Sequence, residues 1–208
     1  GYYARASRRS GSAGDFVTSV DYGPLFGRLL GRQVADMATH CSPTAPLSLV
    51  EAGASDGRLS RAMLDDVAAV APGVAARLRP HLVERSDTAR GIQPSTLGEW
   101  ATRADCTPTL PNSFSGVLVA NELLDALPAH RVVMRGRTLH EVLVDVDADH
   151  LVTRESSSVT DGVLAHLDAC GAQLAPDQFA DVSLDAVHWT RDAASRLTTG
   201  FMLVIDYG

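Results

Sequence analysis

Residues 47–59 read Leu-Ser-Leu-Val-Glu-Ala-Gly-Ala-Ser-Asp-Gly-Arg-Leu, and this stretch decides the fold. An apolar run ends in an acid, Glu51, and a turn of small residues from Gly53 to Gly57 leads into a helical pattern. A strand, a tight loop and a helix N-terminus in this order hold the polar end of a ligand in α/β folds, because free backbone N–H groups point at it. A second acid, Glu84, closes the next apolar stretch, where it suits hydrogen bonding to a ribose diol. The two acids predict a nucleotide-like cofactor.

The loop departs from the Gly-x-Gly-x-x-Gly pattern of dinucleotide-binding folds, since its spacing is Gly53-x-Ser55-x-Gly57. Glu51 stands two residues before Gly53, where it would repel a pyrophosphate but would suit a ligand that carries an ammonium and a sulfonium group. The pattern resembles the first motif of class I S-adenosylmethionine methyltransferases. We therefore expect S-adenosyl-L-methionine as the cofactor, and a tight turn without a ligand is the structural alternative.

The composition indicates a soluble globular chain of one domain or one domain with an insertion, with 208 residues, 45% hydrophobic and 21% charged. A net charge of −7 argues against a nucleic-acid partner, and no apolar run has the length of a bilayer span, which argues against a membrane. Cys41, Cys106 and Cys170 are spaced as neither a metal site nor a disulfide framework, which favours thiols in a reducing cytoplasm. All 18 basic residues are arginine, as expected of a GC-rich bacterial genome.

Strand and helix patterns alternate along the chain. They predict helices at 25–39, 58–70, 159–169 and 184–197, the last capped by Ser183, and a short helix at 87–93 stopped by Pro94. They predict strands at 47–51, 80–84, about 99–105, 115–120 and 201–205, with an antiparallel hairpin unit at 131–155. The expected fold is α/β, a Rossmann-like parallel sheet with helices on both faces and with a hairpin and helices inserted before the fifth strand.

We divide the chain into an N-terminal lid and helix (1–46), a cofactor-binding core (47–128), an inserted substrate region (129–200) and the fifth core strand (201–208). A sheet that ends at this strand would leave a bare edge, so we expect the chain to be part of a longer polypeptide. Glu51, Glu84, Asn121 and Asp206 each lie at or just past the carboxyl end of a predicted strand. Parallel strands bring such residues to one rim of the sheet, where we expect the site.

The chain resembles the MidA-type class I methyltransferases along its whole length and in order. The matching stretches are Gly1-Tyr2-Tyr3, Gly14 to Ser19 with Phe26-Gly27, Val50 to Leu59, Leu82 to Ser86 with Gln93, Asn121 to Pro128, and Ile205 to Gly208. The chain departs from the family where Ser55 replaces a glycine of the cofactor loop and where Val20-Asp21 replaces a Pro-Glu pair.

The resemblance implies S-adenosyl-L-methionine as cofactor and a protein arginine as first substrate, because similar mitochondrial proteins methylate an arginine of a core complex I subunit and assist its assembly. The candidate cofactor-binding residues are Glu51, Gly53, Ala54, Ser55, Gly57, Glu84 and Gln93, with Gly14, Asp15 and Thr18 as a lid implied by the family alone. The candidate catalytic residues are Asn121, Glu122 and Asp125, and Asp206 and Tyr207 are candidates for the acceptor pocket. Asp125 fits equally a charge at a helix N-terminus, and Asp206 and Tyr207 fit a strand-end turn. No metal is expected, and a homo-oligomer is left open.

Two other functions fit parts of the pattern. Gly53-x-Ser55-x-Gly57 satisfies the nucleophile elbow of an α/β-hydrolase, for which Asp125 or Asp206 would be the acid and His166 or His188 the base. That alternative leaves Glu84 and the Asn121–Pro128 segment unexplained. The other is a cofactor-binding scaffold that assists assembly without turnover.

Overall fold

A five-stranded parallel sheet forms the framework of the molecule, for which the computed structural model describes residues 23–207. Its strands are β1 (Leu47–Ala52), β2 (Leu78–Val83), β3 (Asp105–Thr107), β4 (Phe114–Asn121) and, at the end of the chain, β9 (Leu197–Ile205). The spatial order is β3-β2-β1-β4-β9, and each strand runs parallel to its neighbours. The central strands are almost continuously apolar and buried, as a parallel sheet covered on both faces requires.

The helices that accompany this sheet are α1 (Leu25–Thr39), α2 (Arg58–Val70), α3 (Pro72–Ala75) and α4 (Asp87–Leu97), followed by a 3₁₀ helix at Gly98–Arg103. Helix α1 packs closely on α2 because it carries glycine at the contact: a Cβ at Gly31 would lie 2.7 Å from the carbonyl oxygen of Met63. Met63, Leu64 and Val67 of α2 are fully buried in the core. The α1–α2 pair thereby fixes the position of the helix that begins at the Gly53–Gly57 loop.

The described residues divide into two compact units, residues 23–123 with 193–207 and residues 124–192. The second unit contains an antiparallel sheet of order β7-β6-β5-β8, formed by β5 (His130–Arg135), β6 (Thr138–Asp147), β7 (His150–Ser156) and β8 (Phe179–Val182). Helices α5 (Val163–Ala169) and α6 (Leu184–Arg196) lie before and after β8 in the chain. Within this unit, Val132, Leu139, Val163 and Val182 form a small core of their own.

Most predicted elements are confirmed. Helices α1 and α2 have the predicted bounds, β4 and β9 are each longer than predicted, and the antiparallel hairpin unit at 131–155 forms. Ser183 caps α6, since its Oγ accepts a hydrogen bond from the backbone N–H of Ala186 at 3.1 Å. The α/β class with an antiparallel insertion is therefore confirmed.

Three predicted details are wrong. Pro94 does not stop α4, which continues to Leu97; burial of Leu97 in the core offsets the hydrogen bond that the proline ring removes. Residues 98–103 form a 3₁₀ helix rather than strand three, which begins only at Asp105, because Trp100 turns inward to the core there. Strand β8 was not predicted, since four residues with one buried side chain carry almost no periodic signal.

No helix within residues 23–207 is both long and apolar enough to cross a membrane.

Candidate cofactor and active site

The candidate site lies at the carboxyl edge of the sheet, where the order of the strands reverses. Strand β1 lies between β2 and β4, so the chain leaves β1 in one direction and returns beside it through β4. Ala52 is in register with Val83 on one side and with Ala120 on the other. Gly53, Glu84 and Asn121 therefore follow three adjacent strands at one level, at the topological switch point where open α/β sheets bind their ligands.

Three left-handed residues give the loop after β1 its shape. The φ angles are 76° at Gly53, 46° at Ser55 and 87° at Gly57. Two of these positions would also be crowded by a larger residue, because a Cβ would lie 3.1 Å from Leu123 Cδ1 at Gly53 and 3.0 Å from Leu82 Cδ2 at Gly57. Ser55 is the exception, since it is a serine held in a conformation that favours glycine.

The backbone N–H groups of the loop are bound within the protein, which differs from the expectation that they would point at a ligand. The donors and acceptors are Gly53 N and Ala54 N to Val83 O, Ser55 N to Glu84 Oε2, Gly57 N to Ala54 O, and Arg58 N to Asp56 Oδ1. These five N–H groups are therefore engaged within the protein and do not receive a phosphate. Such a site suits a cationic ligand group better than a phosphate.

Glu84 follows β2 and joins the loop to the next helix. Its Oε2 accepts the N–H of Ser55 at 3.0 Å, and its Oε1 accepts the N–H of Ser86 at 2.8 Å. Ser86 is the N-cap of α4 and accepts from Ala89 N through its own Oγ. Because a carboxylate oxygen can accept two hydrogen bonds, both oxygens of half-buried Glu84 retain capacity for the hydroxyl groups of a ribose.

Glu51 is the buried acid of the site, with 4% of its surface exposed. Its Oε2 accepts a hydrogen bond from Ser60 Oγ, and it forms no ion pair within residues 23–207. Burial raises the pKa of Glu51 to about 8, against the lowering effect of hydrogen bonds from Ser60, and the negative charges of Asp56 and Glu84 raise it further. Within the described part of the chain, the site thus holds a carboxyl group without a cationic partner.

Asn121 ends β4 at the same rim, and its Oδ1 is buried without a hydrogen-bond partner among the described residues. The next residue, Glu122, has a φ of 50°, and its N–H donates to Ile205 O at 2.8 Å. This left-handed turn redirects the chain as it leaves the sheet. An unsatisfied buried oxygen costs about 1–3 kcal/mol, so Asn121 identifies a place where a donor is needed.

Asp206 and Tyr207 follow β9, the neighbour of β4. Asp206 is half-buried, and its Oδ1 accepts the N–H of Tyr207 at 2.9 Å, while Tyr207 is 71% exposed. The register pairs Asn121 with Ile205, so Asp206 leaves the sheet beside Glu122. Asp125 is exposed and belongs to the second unit, and the lid residues Gly14, Asp15 and Thr18 lie outside the described residues.

Gln93 lies under the loop rather than at the rim. It is fully buried on α4, and its Nε2 donates to Ser55 O at 2.8 Å. Its Oε1 is buried without a partner among residues 23–207. The sequence motif singled out Gln93, but the contact with Ser55 spans 38 positions and has no local sequence signal.

A second polar cluster, which the sequence did not reveal, lies within the second unit. Glu141 of β6 is 5% exposed; its Oε1 lies 2.7 Å from Nδ1 of His130, and its Oε2 accepts from Thr160 N at 2.7 Å and from Thr160 Oγ1 at 2.9 Å. Burial would raise the pKa of Glu141, but the hydrogen bonds from His130 and Thr160 outweigh it and lower the pKa. The cluster ties β5, β6 and the segment before α5 together. Among residues 23–207, no group of three or more metal-ligating side chains occurs.

These residues fit S-adenosyl-L-methionine. The ligand carries an ammonium and a sulfonium group, which need acceptors, and a ribose diol, which needs a carboxylate. Glu51 offers a buried acid that has no cationic partner among the described residues, and Glu84 offers the carboxylate at the tip of β2. Gly53 and Gly57 keep the loop close to the strands that support it. Each feature has a counterpart in that cofactor.

Comparison with known proteins gives the family. The sequence model of a family described as "Putative S-adenosyl-L-methionine-dependent methyltransferase" matches residues 29–208. A crystal structure of a Burkholderia thailandensis protein bound to S-adenosyl-homocysteine has a TM-score of 0.84 and 30% identity, covering 100% of this chain and 54% of that one. A second structure from the same organism has a TM-score of 0.78 and 30% identity, covering 95% and 52%.

Curated relatives are more distant in sequence. The mitochondrial protein arginine methyltransferase NDUFAF7 homolog of Caenorhabditis elegans is 28% identical over 248 residues, and NDUFAF7 of Danio rerio is 27% identical over 239. Each alignment covers 100% of this chain and 54% of the relative, so the chain spans about half the length of these relatives. The comparisons confirm the predicted MidA-type resemblance, the fold class and the cofactor of the family.

Proposed function

The chain belongs to this family of S-adenosyl-L-methionine-dependent methyltransferases, and we propose that it transfers a methyl group to a nitrogen of a protein arginine. The Oδ1 of Asn121 carries the proposal, because it is a buried acceptor without a donor among residues 23–207 and lies at the rim where the fold binds its ligands. A guanidinium group presents only N–H donors, so it matches this oxygen and the neighbouring acid Glu122. The name of the curated relatives, protein arginine methyltransferases, supports the same choice of acceptor.

In this proposal the cofactor is held by acceptors. Glu51 faces the ammonium group, Glu84 accepts hydrogen bonds from the ribose hydroxyls, and the loop from Gly53 to Gly57 packs along the ligand. When bound, S-adenosyl-L-methionine supplies an activated methyl group on a sulfonium centre. The glycines allow close approach of the backbone, and Ala54 adds only a buried methyl group to the loop.

The acceptor side chains orient the nitrogen that is methylated. Asn121 Oδ1 accepts an N–H of the guanidinium and thereby turns the lone pair of the reacting nitrogen toward the donor group. Glu122 balances the positive charge of the guanidinium and accepts the proton that the nitrogen loses as its new bond to carbon forms. Asp125 is proposed as a second acid, and Asp206 and Tyr207 as the wall of the acceptor pocket.

A methyl-transfer assay tests the proposal. The full chain is incubated with tritium-labelled S-adenosyl-L-methionine and an extract of cells that lack the gene, and labelled proteins are hydrolysed to identify the methylated amino acid. We expect label on arginine, lost in Asn121→Ala and retained in the matched control Asn112→Ala, an exposed asparagine outside the site. Label on another amino acid contradicts the arginine assignment. Cofactor binding without any transfer would instead favour the assembly scaffold.

The family match opposes the hydrolase alternative, because the matched residues 29–208 include the Gly53–Gly57 loop and the family is one of S-adenosyl-L-methionine-dependent methyltransferases.

A further inference from the structure

Ser55 is the position where the cofactor loop needs support. Its φ of 46° lies in the left-handed region, which costs a serine about 1–2 kcal/mol relative to a right-handed conformation. A glycine would adopt this conformation without that cost. Something in the surrounding structure must therefore hold the backbone of Ser55 in place.

Two side chains hold it, one at each peptide group. Glu84 accepts the N–H of Ser55 at 3.0 Å, and Gln93 donates to its carbonyl oxygen at 2.8 Å. The amide of Gln93 has only one workable orientation, since the reverse would bring its oxygen against the oxygen of Ser55. Gln93 also packs under Gly57, because a Cβ added at Gly57 would lie 3.5 Å from Gln93 Cγ.

The hydrogen bond from Gln93 to Ser55 carries an unfavourable free energy elsewhere in the same side chain. With Nε2 bound to Ser55, Oε1 of Gln93 is left buried and without a partner among the described residues. An apolar side chain of the same length would avoid that cost, so the amide is not explained by packing alone. What the amide adds is the hydrogen bond to the loop.

We propose that Gln93 is a positioning residue that holds Ser55 in its left-handed conformation and so keeps the loop in the shape that receives the cofactor, without contacting the cofactor itself. The inference rests on the proposed cofactor site and adds to it. It changes the role that the motif suggested for Gln93, from a direct contact with the cofactor to a support beneath the loop. It also explains how this chain accommodates a serine where its family has a glycine.

A double-mutant cycle tests the inference with S-adenosylhomocysteine as the probe and the full chain as the protein. In the natural loop, Gln93→Met weakens binding about tenfold, the loss of one hydrogen bond to a preorganised site. In a Ser55→Gly background the same substitution weakens binding less than about threefold, because glycine holds φ near 46° without support. An equal loss in both backgrounds overturns the inference, since it would mean that Gln93 acts on the cofactor directly. No loss in the natural loop overturns it as well.

Stability provides a readout that separates positioning from folding. Gln93→Met removes the hydrogen bond to Ser55, which lowers stability, and an oxygen without a partner among the described residues, which raises it. Because the two effects oppose each other, the melting temperature is expected to stay level while affinity falls. Gln93→Leu serves as a second variant should the methionine disturb the helix. Gln33→Met, at an exposed position of helix α1, is the matched control. A fall in melting temperature that accounts for the loss of binding would overturn the inference.

Hydrogen exchange in the ligand-free protein distinguishes failure of this inference from failure of the proposed function. If the unsubstituted chain does not bind S-adenosylhomocysteine, the cofactor proposal is wrong. Gln93→Met is still expected to speed exchange at the amide of Ser55 relative to Gln33→Met, because the loop opens more often without its support. Unchanged exchange would overturn the positioning role.

Discussion

Replacement of Glu51 by glutamine is expected to stabilise the protein and to weaken cofactor binding. The pKa of Glu51 is raised from 4.5 to about 8 by burial, so the folded protein holds the proton more tightly than the unfolded chain does. The contribution of Glu51 to stability therefore falls as the pH rises from 4.5 toward 8. At pH 7 the free energy of unfolding is lower by about 3 kcal/mol than it is below pH 4.5, from 1.36 kcal/mol for each of about 2.5 pH units between 4.5 and 7.

Glu51→Gln removes the titration but leaves an amide that needs a new acceptor, which costs about 1 kcal/mol. The net gain of about 2 kcal/mol raises the melting temperature by about 5 °C at pH 7. The same substitution removes the carboxylate that is proposed to face the ammonium group. Loss of a charge-assisted hydrogen bond of about 1.5–3 kcal/mol weakens the binding of S-adenosylhomocysteine about 10- to 100-fold. Stability and affinity thus change in opposite directions.

Calorimetric titration with S-adenosylhomocysteine checks the affinity and the proton balance together. Because the ammonium group binds the ionised acid, affinity of the unsubstituted chain rises about twentyfold between about pH 6.5 and pH 8.5, and binding at pH 7 releases about one proton. Glu51→Gln shows neither effect, and Glu99→Gln at an exposed site behaves like the unsubstituted chain. A glutamine variant that binds as tightly as the unsubstituted chain, with the same pH dependence, would refute the argument.

Glu84→Gln is expected to weaken the binding of S-adenosylhomocysteine at least about tenfold in the same titration, since the amide cannot accept hydrogen bonds from both backbone N–H groups and from the ribose. Unchanged affinity would mean that Glu84 is not part of the site. Ser55→Gly is expected to leave that affinity within about threefold of the unsubstituted chain, because the loop already has its left-handed shape without the ligand, and to change the melting temperature little, because relief of strain and the greater freedom of unfolded glycine offset each other; about tenfold weaker binding would contradict the strain argument. Glu141→Gln is expected to lower the free energy of unfolding by about 2 kcal/mol at pH 7, measured by urea denaturation, since His130 and Thr160 lose a buried charged partner. The lowered pKa of Glu141 means that its contribution is lost as the pH falls below 4.5, so the variant and the unsubstituted chain are expected to converge in acid, and a constant difference would contradict this assignment.

Local patterns predicted the elements that local interactions determine. Helix α2 and the loop before it follow from small residues and from apolar positions at helical spacing, and the structure has them at the predicted residues. Pro94 misled because the gain from burying Leu97 is a tertiary effect that a local signal does not contain. The location of the site at the rim could be predicted, since parallel strands bring their carboxyl ends together. The hydrogen-bond partners of the side chains at the rim could not be predicted.

Those partners depend on register and on contacts distant in sequence. His130 meets Glu141 because β5 and β6 pair antiparallel, with Val132 opposite Glu141, and no spacing in the sequence indicates that pair. Gln93 meets Ser55 only because α4 returns beneath the loop of a different strand. In both cases the residue types were visible in the sequence and the contact was not.

The hydrogen-bond acceptors of the loop's N–H groups explain how one fold binds different cofactors. In a dinucleotide site these donors point outward and receive a phosphate. Here Val83, Glu84 and the loop itself accept them, and a buried acid, Glu51, stands at the end of β1. The inward donors make this edge of the sheet a poor site for a phosphate, and the buried acid can ionise beside a cationic group such as an ammonium. The exclusion of a dinucleotide, which the sequence suggested from glycine spacing, therefore rests on the engaged donors of the loop. If Glu51 were neutralised, the N–H groups of Gly53, Ala54, Ser55 and Gly57 would still be bound within the protein, and selectivity against dinucleotides would survive the loss of affinity for S-adenosyl-L-methionine.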